Sequence, residues 1–149
     1  MKIVRTDREH ALPDVDAALV AMGAALVLLP GDVDETRLAR EVADADLLLM
    51  CYTPISARVI DGATRLKGIV KYGVGIDAID IPAAIRRSIP VVNVPDYGEE
   101  TVAEGAFALL IALARNLRRL QHAMDTHGWV DPTPAWLGSD IAGKTLGLV

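Results

Sequence analysis

The sequence predicts an α/β chain built on a doubly wound parallel sheet, followed by a region of different rhythm. Three observations carry this. Five short runs, residues 2–5, 25–29, 47–50, 68–71 and 91–94, are aliphatic or β-branched, as strands buried on both faces are. Helical patterns separate them. After residue 96 the alternation stops, and a long apolar helix takes over.

Lys2-Ile3-Val4-Arg5 opens the chain as the first strand. Residues 13–22 place Val15, Ala18, Leu19 and Met22 on one expected inward helix face, and Gly23 stops that helix. Residues 25–29 form an apolar strand closed by Pro30-Gly31. Residues 34–43 read as a helix with Leu38 and Val42 inward. Leu47-Leu48-Leu49-Met50 is the third strand, and residues 56–61 a short helix with Ser56 as N-cap. Gly68-Ile69-Val70-Lys71 is the fourth strand. Residues 82–87 form a helix, with Asp80 as cap and Pro82 in the first turn. Val91-Val92-Asn93-Val94 completes a five-strand unit.

The second region opens with one continuous helix over residues 99–124, from Glu99 to about Met124. Thr101-Val102-Ala103-Glu104 has the form of a capping box, and Asp96 and Glu99 offer a start one turn earlier. Acidic residues at its beginning and Arg115, Arg118 and Arg119 past its middle suit the helix dipole. The stretch between is apolar around the whole circumference, so the helix is expected to be covered by another domain, another subunit or both. A loop with Trp129, Trp136, Pro132 and Pro134 follows, and residues 144–149 read as a further strand.

Composition narrows the function. The chain has 149 residues, 52% of them hydrophobic and 23% charged, which excludes intrinsic disorder. Its net charge of −5 and lack of a basic cluster argue against nucleic-acid or anionic-membrane partners. A single cysteine, Cys51, excludes an internal disulfide and any multi-cysteine metal site, and no metal is expected. Charged residues interrupt the first apolar stretch, so no secretory signal is read, and the apolar run at residues 105–114 is shorter than the roughly 20 residues that span a bilayer. A cytoplasmic protein is the expectation.

Gly73-Val74-Gly75 follows the fourth strand. Glycines there let backbone N–H groups approach an anion; an ordinary tight turn is the alternative. Lys71 reads as a solvated strand-end lysine, with added charge near an anionic ligand as the alternative. Tyr52 follows the third strand at the end where ligands gather in open α/β sheets. Cys51 reads as an inert buried thiol. His122 and His127 read as surface histidines, and Trp129 and Trp136 as interface anchors or local packing.

Three segments in register carry a resemblance: residues 71–80, KYGVGIDAID; residues 92–104, VNVPDYGEETVAE; and residues 143–149, GKTLGLV. Together they resemble the D-isomer-specific 2-hydroxyacid dehydrogenases, the family of D-lactate, D-glycerate and D-3-phosphoglycerate dehydrogenases. The resemblance implies a flavodoxin-like substrate domain over residues 1–96. Residues 97–149 would then be the first helix and first strand of a Rossmann domain, truncated before its Gly-x-Gly-x-x-Gly fingerprint. It implies hydride transfer between NAD(H), with NADP as the alternative, and a D-2-hydroxy acid or its 2-oxo acid. It places substrate contacts at Val74, Gly75, Tyr97 and Tyr52, and cofactor contacts at Val74, Thr101 and Val102. The family's catalytic Arg, Glu and His match no position here, so this stretch alone is expected to be inactive. The resemblance also implies a homodimer through the 99–124 helix. A corepressor-like, NAD-sensing relative that binds proteins and a free-standing flavodoxin-like dimerisation module are the competing classes.

Overall fold

The structure, a computed structural model, describes residues 1–148. The chain divides into two compact units, Met1–Tyr97 and Gly98–Val149. In the first, five strands form one parallel sheet in the order β2-β1-β3-β4-β5: β1 (Lys2–Arg5), β2 (Ala25–Leu28), β3 (Leu47–Met50), β4 (Gly68–Lys71) and β5 (Val91–Val92). This is the α/β, doubly wound arrangement the aliphatic runs predict. The central strands supply the core: Ile3, Val4, Leu48, Met50 and Ile69 are buried together with Leu38, Val42, Val59 and Ile60 from the helices. Edge strand β2 is apolar yet half-exposed, because only β1 flanks it. Strand β5 is two residues, not the expected four: Asn93 turns its amide onto the Val74 carbonyl and Pro95 follows, so the ladder stops.

Helices α1 (Pro13–Ala21), α2 (Glu35–Val42), α3 (Ala57–Gly62) and α4 (Ile81–Arg86) separate the strands. Asp34 and Asp80 cap α2 and α4 by accepting the N–H groups of Arg37 and Ala83, each at 2.9 Å. Ser56 occupies the N-cap position of α3, but its hydroxyl donates to Glu35 instead of capping. The inward face of α1 differs from the expected Val15, Ala18, Leu19 and Met22, of which only Leu19 is even half-buried. The line of shielded residues is Leu12, Asp16 and Leu19, with an acid at its centre. The cause lies beneath it: Arg5 is buried and its Nη2 and Nε reach the Asp16 carboxylate at 2.7 and 2.9 Å.

Asp46 ties the N-terminal ends of the central strands. Its buried carboxylate accepts the Lys2 N–H at 2.8 Å and pairs with Arg65 and Lys67 at 3.2 and 3.3 Å. The Lys2 N–H first, then Lys67 and Arg65, hold its pKa down at about 2, from 3.8. A carboxylate depressed in the folded state stabilises it above the unfolded pKa, and that contribution disappears as pH falls through the folded value. Asp46→Asn is therefore expected to lower the urea midpoint at pH 6, and the gap to the parent should close between pH 3.8 and about 2. A gap independent of pH would contradict this account.

The second unit holds α5 (Glu99–Ala114) and α6 (Leu117–His127), not the single 99–124 helix expected. Asn116 breaks it with φ 53, a left-handed conformation that Asn tolerates better than most residues. The apolar period runs on both sides of the break, so only this residue marks it. Helix α5 starts at Glu99 behind Gly98, so Thr101 lies inside the first turns and does not form the capping box. None of its residues is buried, and Leu113 is 78% exposed. The following segment folds back onto the break. Asn116 donates to the Leu137 carbonyl at 2.9 Å, Ser139 N–H to Ala114 O at 2.7 Å, and Arg115 pairs with Asp140 at 2.7 Å. Arg119 covers the Trp136 ring at 4.7 Å, so this tryptophan packs locally. Residues 144–148 do not form the expected strand, as this unit has no other strand among the described residues to pair with; Val149 lies outside them. Among the described residues no helix is long and apolar enough to cross a membrane.

Candidate functional site

At the C-terminal ends of β3 and β4 the first unit encloses a cavity of about 320 Å³. Cys51, Tyr52, Lys71, Gly73, Val74, Gly75, Asp77, Ala78 and Tyr97 line it. The structure thus brings four residues singled out from the sequence, Tyr52, Val74, Gly75 and Tyr97, around one space. Thr101 and Val102 belong to the second unit, exposed on the first turns of α5.

The loop after β4 owes its shape to its carbonyls. Gly73 O accepts the Val94 N–H at 3.1 Å and Val74 O accepts the Asn93 side-chain amide at 2.8 Å. Tyr72 N–H donates to Met50 O at 3.0 Å, and the Tyr72 hydroxyl to Thr6 O at 2.6 Å. Burial first, with nearby Asp7 and Cys51 adding to it, pushes the Tyr72 pKa up to about 12, so that donor keeps its proton at neutral pH. The carbonyls are spoken for and the amides are not: among the described residues no oxygen accepts the N–H of Val74 or Gly75. Two adjacent donors beside the cavity are thus available to an anion.

Lys71 overturns its expected solvated state. It is 5% exposed. Its Nζ donates to the Cys51 carbonyl, lies 3.9 Å from the Cys51 sulfur and stands 4.9 Å from the centre of the Tyr52 ring. Among the described residues no carboxylate lies within ion-pair distance of it. A buried ammonium without a counter-charge favours an incoming anion. Gly73 fits against this side chain, since a Cβ there would stand 3.0 Å from Lys71 Cε. Tyr52 and Tyr97 are exposed at 68% and 66%, available to flank a ligand. The sequence reading missed His10, whose ring centre lies 5.4 Å from that of Tyr52, and Asp77, which adds a negative charge to the cavity lining. His10 sits in no motif, whereas Asp77 lies within the segment 71–80 that carries the resemblance. Cys51 is a buried free thiol, as expected, and His122 and His127 are exposed.

A larger cleft, about 520 Å³, lies in the second unit between Ala112, Leu113, Asn116, Arg118, Arg119 and His122. It follows the angle between α5 and α6, whose apolar side chains are uncovered there. None of the residues singled out from the sequence for substrate contact lines it, so the first-unit cavity, which gathers four of them beside the buried Lys71, is the better candidate for binding an acid.

Residues 10–133 match the family described as D-isomer specific 2-hydroxyacid dehydrogenase, catalytic domain. The chain is similar to D-3-phosphoglycerate dehydrogenase of Mycobacterium leprae, 37% identical over 78% of this chain and 22% of that protein. It is also similar to glyoxylate reductase of Thermococcus kodakarensis, 39% identical over 75% of this chain and 35% of that protein. Among solved structures, a Thermus thermophilus protein superimposes with a TM-score of 0.80 at 30% identity, over 96% of this chain and 46% of that one. An NAD+-bound 3-phosphoglycerate dehydrogenase of Entamoeba histolytica superimposes with a TM-score of 0.70 at 25% identity, over 89% and 42%. The chain therefore spans about a fifth to a third of these curated relatives and less than half of these solved chains.

Proposed function

This chain belongs to the D-isomer specific 2-hydroxyacid dehydrogenase family, and from that premise we propose that it supplies the substrate-binding part of an NAD-dependent oxidoreductase. The reaction would interconvert a D-2-hydroxy acid and its 2-oxo acid. The observation that carries this is the pair of free N–H groups at Val74 and Gly75, beside the buried Lys71 ammonium. A 2-oxo acid must have its carboxylate fixed before its carbonyl can face a hydride donor. The two amides grip that carboxylate, Lys71 supplies a positive field in a shielded place, and Tyr52 and Tyr97 flank the remainder of the molecule. Residues 1–96 are the proposed substrate domain and residues 97–149 the beginning of the nucleotide domain.

NAD(H) takes or gives the hydride when bound; its chemistry is the cofactor's own. The described residues do not form a cradle for its diphosphate. Gly73-Val74-Gly75-Ile76-Asp77-Ala78 has the spacing of a dinucleotide turn with Ala in third place, but an isolated bridge at Ile79 separates it from α4, which starts only at Ile81, so no helix opens within the glycine turn. The first turn of α5 carries Glu99 and Glu100, which oppose a phosphate there. Val74, Thr101 and Val102 are proposed as contacts to the nicotinamide end alone. The uncovered apolar residues of α5 support a homodimer through that helix, and a cytoplasmic setting is proposed with it.

The test is direct. Oxamate, an unreactive 2-oxo acid analogue, is expected to shift the amide resonances of Val74 and Gly75 in residues 1–149, and these residues are expected to show no NADH-dependent reduction of a 2-oxo acid. Shifts confined to the second unit would remove the proposed site, and turnover above background would place the chemistry within these residues.

A further inference from the structure

The turn that carries Tyr52 is held from behind by a carboxylate that the binding site does not itself use. Asp7 follows β1, is 3% exposed and adopts φ 54. Its Oδ2 accepts the Thr6 hydroxyl at 2.7 Å, the Cys51 N–H at 2.8 Å and the Thr53 N–H at 3.3 Å. Its Oδ1 faces Gly31 beyond β2, where any Cβ would come within 3.0 Å. The ends of β1, β2 and β3 therefore meet on one side chain. Among the described residues no Lys or Arg pairs with it. A buried carboxylate in that position is stable only because donors surround it. Burial pushes its pKa up, but the donors from Thr6, Cys51, Thr53 and Tyr52 outweigh burial and hold it below the usual carboxylate range.

The next link is Cys51 itself. Its N–H donates to Asp7 at 2.8 Å and its carbonyl accepts Lys71 Nζ, so one residue joins the buried carboxylate to the buried ammonium. The other groups around the Lys71 ammonium and in the cavity lining, the Cys51 thiol, the Tyr52 and Tyr97 rings and Asp77, form no ion pair with it. We propose that Asp7 is a positioning residue of the cavity: its carboxylate fixes the Cys51–Thr53 turn and, through the Cys51 carbonyl, fixes Lys71 and Tyr52 in place. The effect on 2-oxo acid binding rests on the function proposed above; the effect on Lys71 does not. Asparagine is a poorer replacement, because its neutral amide oxygen accepts the same donors without the charge that strengthens each bond. Glycine removes the carboxylate while accepting the left-handed backbone.

Two measurements on residues 1–149 test this. The first is acylation of each lysine by an amine-directed reagent, read by peptide mass spectrometry. In Asp7→Gly the Lys71 rate is expected to rise about fivefold or more, as loss of roughly 1 kcal/mol of local ordering would produce, with Asp7→Asn between it and the parent. Lys2 and Lys67, in the same unit, should stay unchanged. An unchanged Lys71, or all three lysines rising together, overturns the proposal. The second is oxamate affinity. Asp7→Gly and Lys71→Met should each weaken it, and the loss in the double variant should be smaller than the two single losses together; full additivity overturns the proposal. Tighter binding in Asp7→Gly, as simple removal of a negative charge would give, also overturns it. If the parent binds no oxamate, the function proposed for the cavity fails, and the labelling result still decides the role of Asp7.

Discussion

Val74→Pro is expected to weaken oxamate binding by about 10- to 100-fold while leaving the fold intact. Proline removes one N–H, and a hydrogen bond to a charged group contributes about 1.5–3 kcal/mol, where 1.4 kcal/mol is a factor of about ten. The position suits the substitution: Val74 is exposed, its φ is not positive, and its own N–H bonds to no described oxygen. Its carbonyl can keep the Asn93 amide. Val74→Ala is the control, since it trims the side chain and keeps the donor; its affinity should match the parent. If alanine and proline weaken binding equally, the side chain and not the main chain holds the acid.

Asp16→Ala is expected to destabilise the first unit by about 3 kcal/mol, the lower end of what breaking a buried ion pair costs. Arg5 is 1% exposed and, when the carboxylate is gone, keeps its bond to the His10 carbonyl beside the Tyr72 hydroxyl. That leaves a guanidinium in the interior with most of its donors idle. Replacing both partners, as Arg5→Met with Asp16→Leu, should recover most of the loss, because it is the orphaned charge that costs. Hydrogen exchange at the β3 amides measures this, whereas tryptophan emission does not, as Trp129 and Trp136 both lie in the second unit. A double variant as unstable as Asp16→Ala would show that the pair contributes by attraction, not by mutual neutralisation.

The strands were legible because aliphatic runs between helical patterns leave few alternatives. Helix α1 was legible as a helix but not in its orientation: an apolar stripe predicts a face through Val15 and Met22, and the buried Arg5 turns Asp16 inward instead. The break at Asn116 was invisible because one residue supplies it between two apolar patterns. Of the cavity, the Gly73–Gly75 turn could be anticipated from glycines after a strand. The state of Lys71 could not, since its partner is a carbonyl 20 residues earlier in the chain. Asp7 carries no pattern at all; its importance arises only where three strand ends converge.

The fold-back onto the helix break makes Gly138 more than a spacer. A Cβ at that position would come within 2.4 Å of the Ala114 carbonyl oxygen, main chain against main chain, where no side chain can yield. The Asn116, Ser139 and Arg115 contacts all depend on the same approach. A single methyl group there would release them together, so this corner of the second unit should open and close as one small cooperative element.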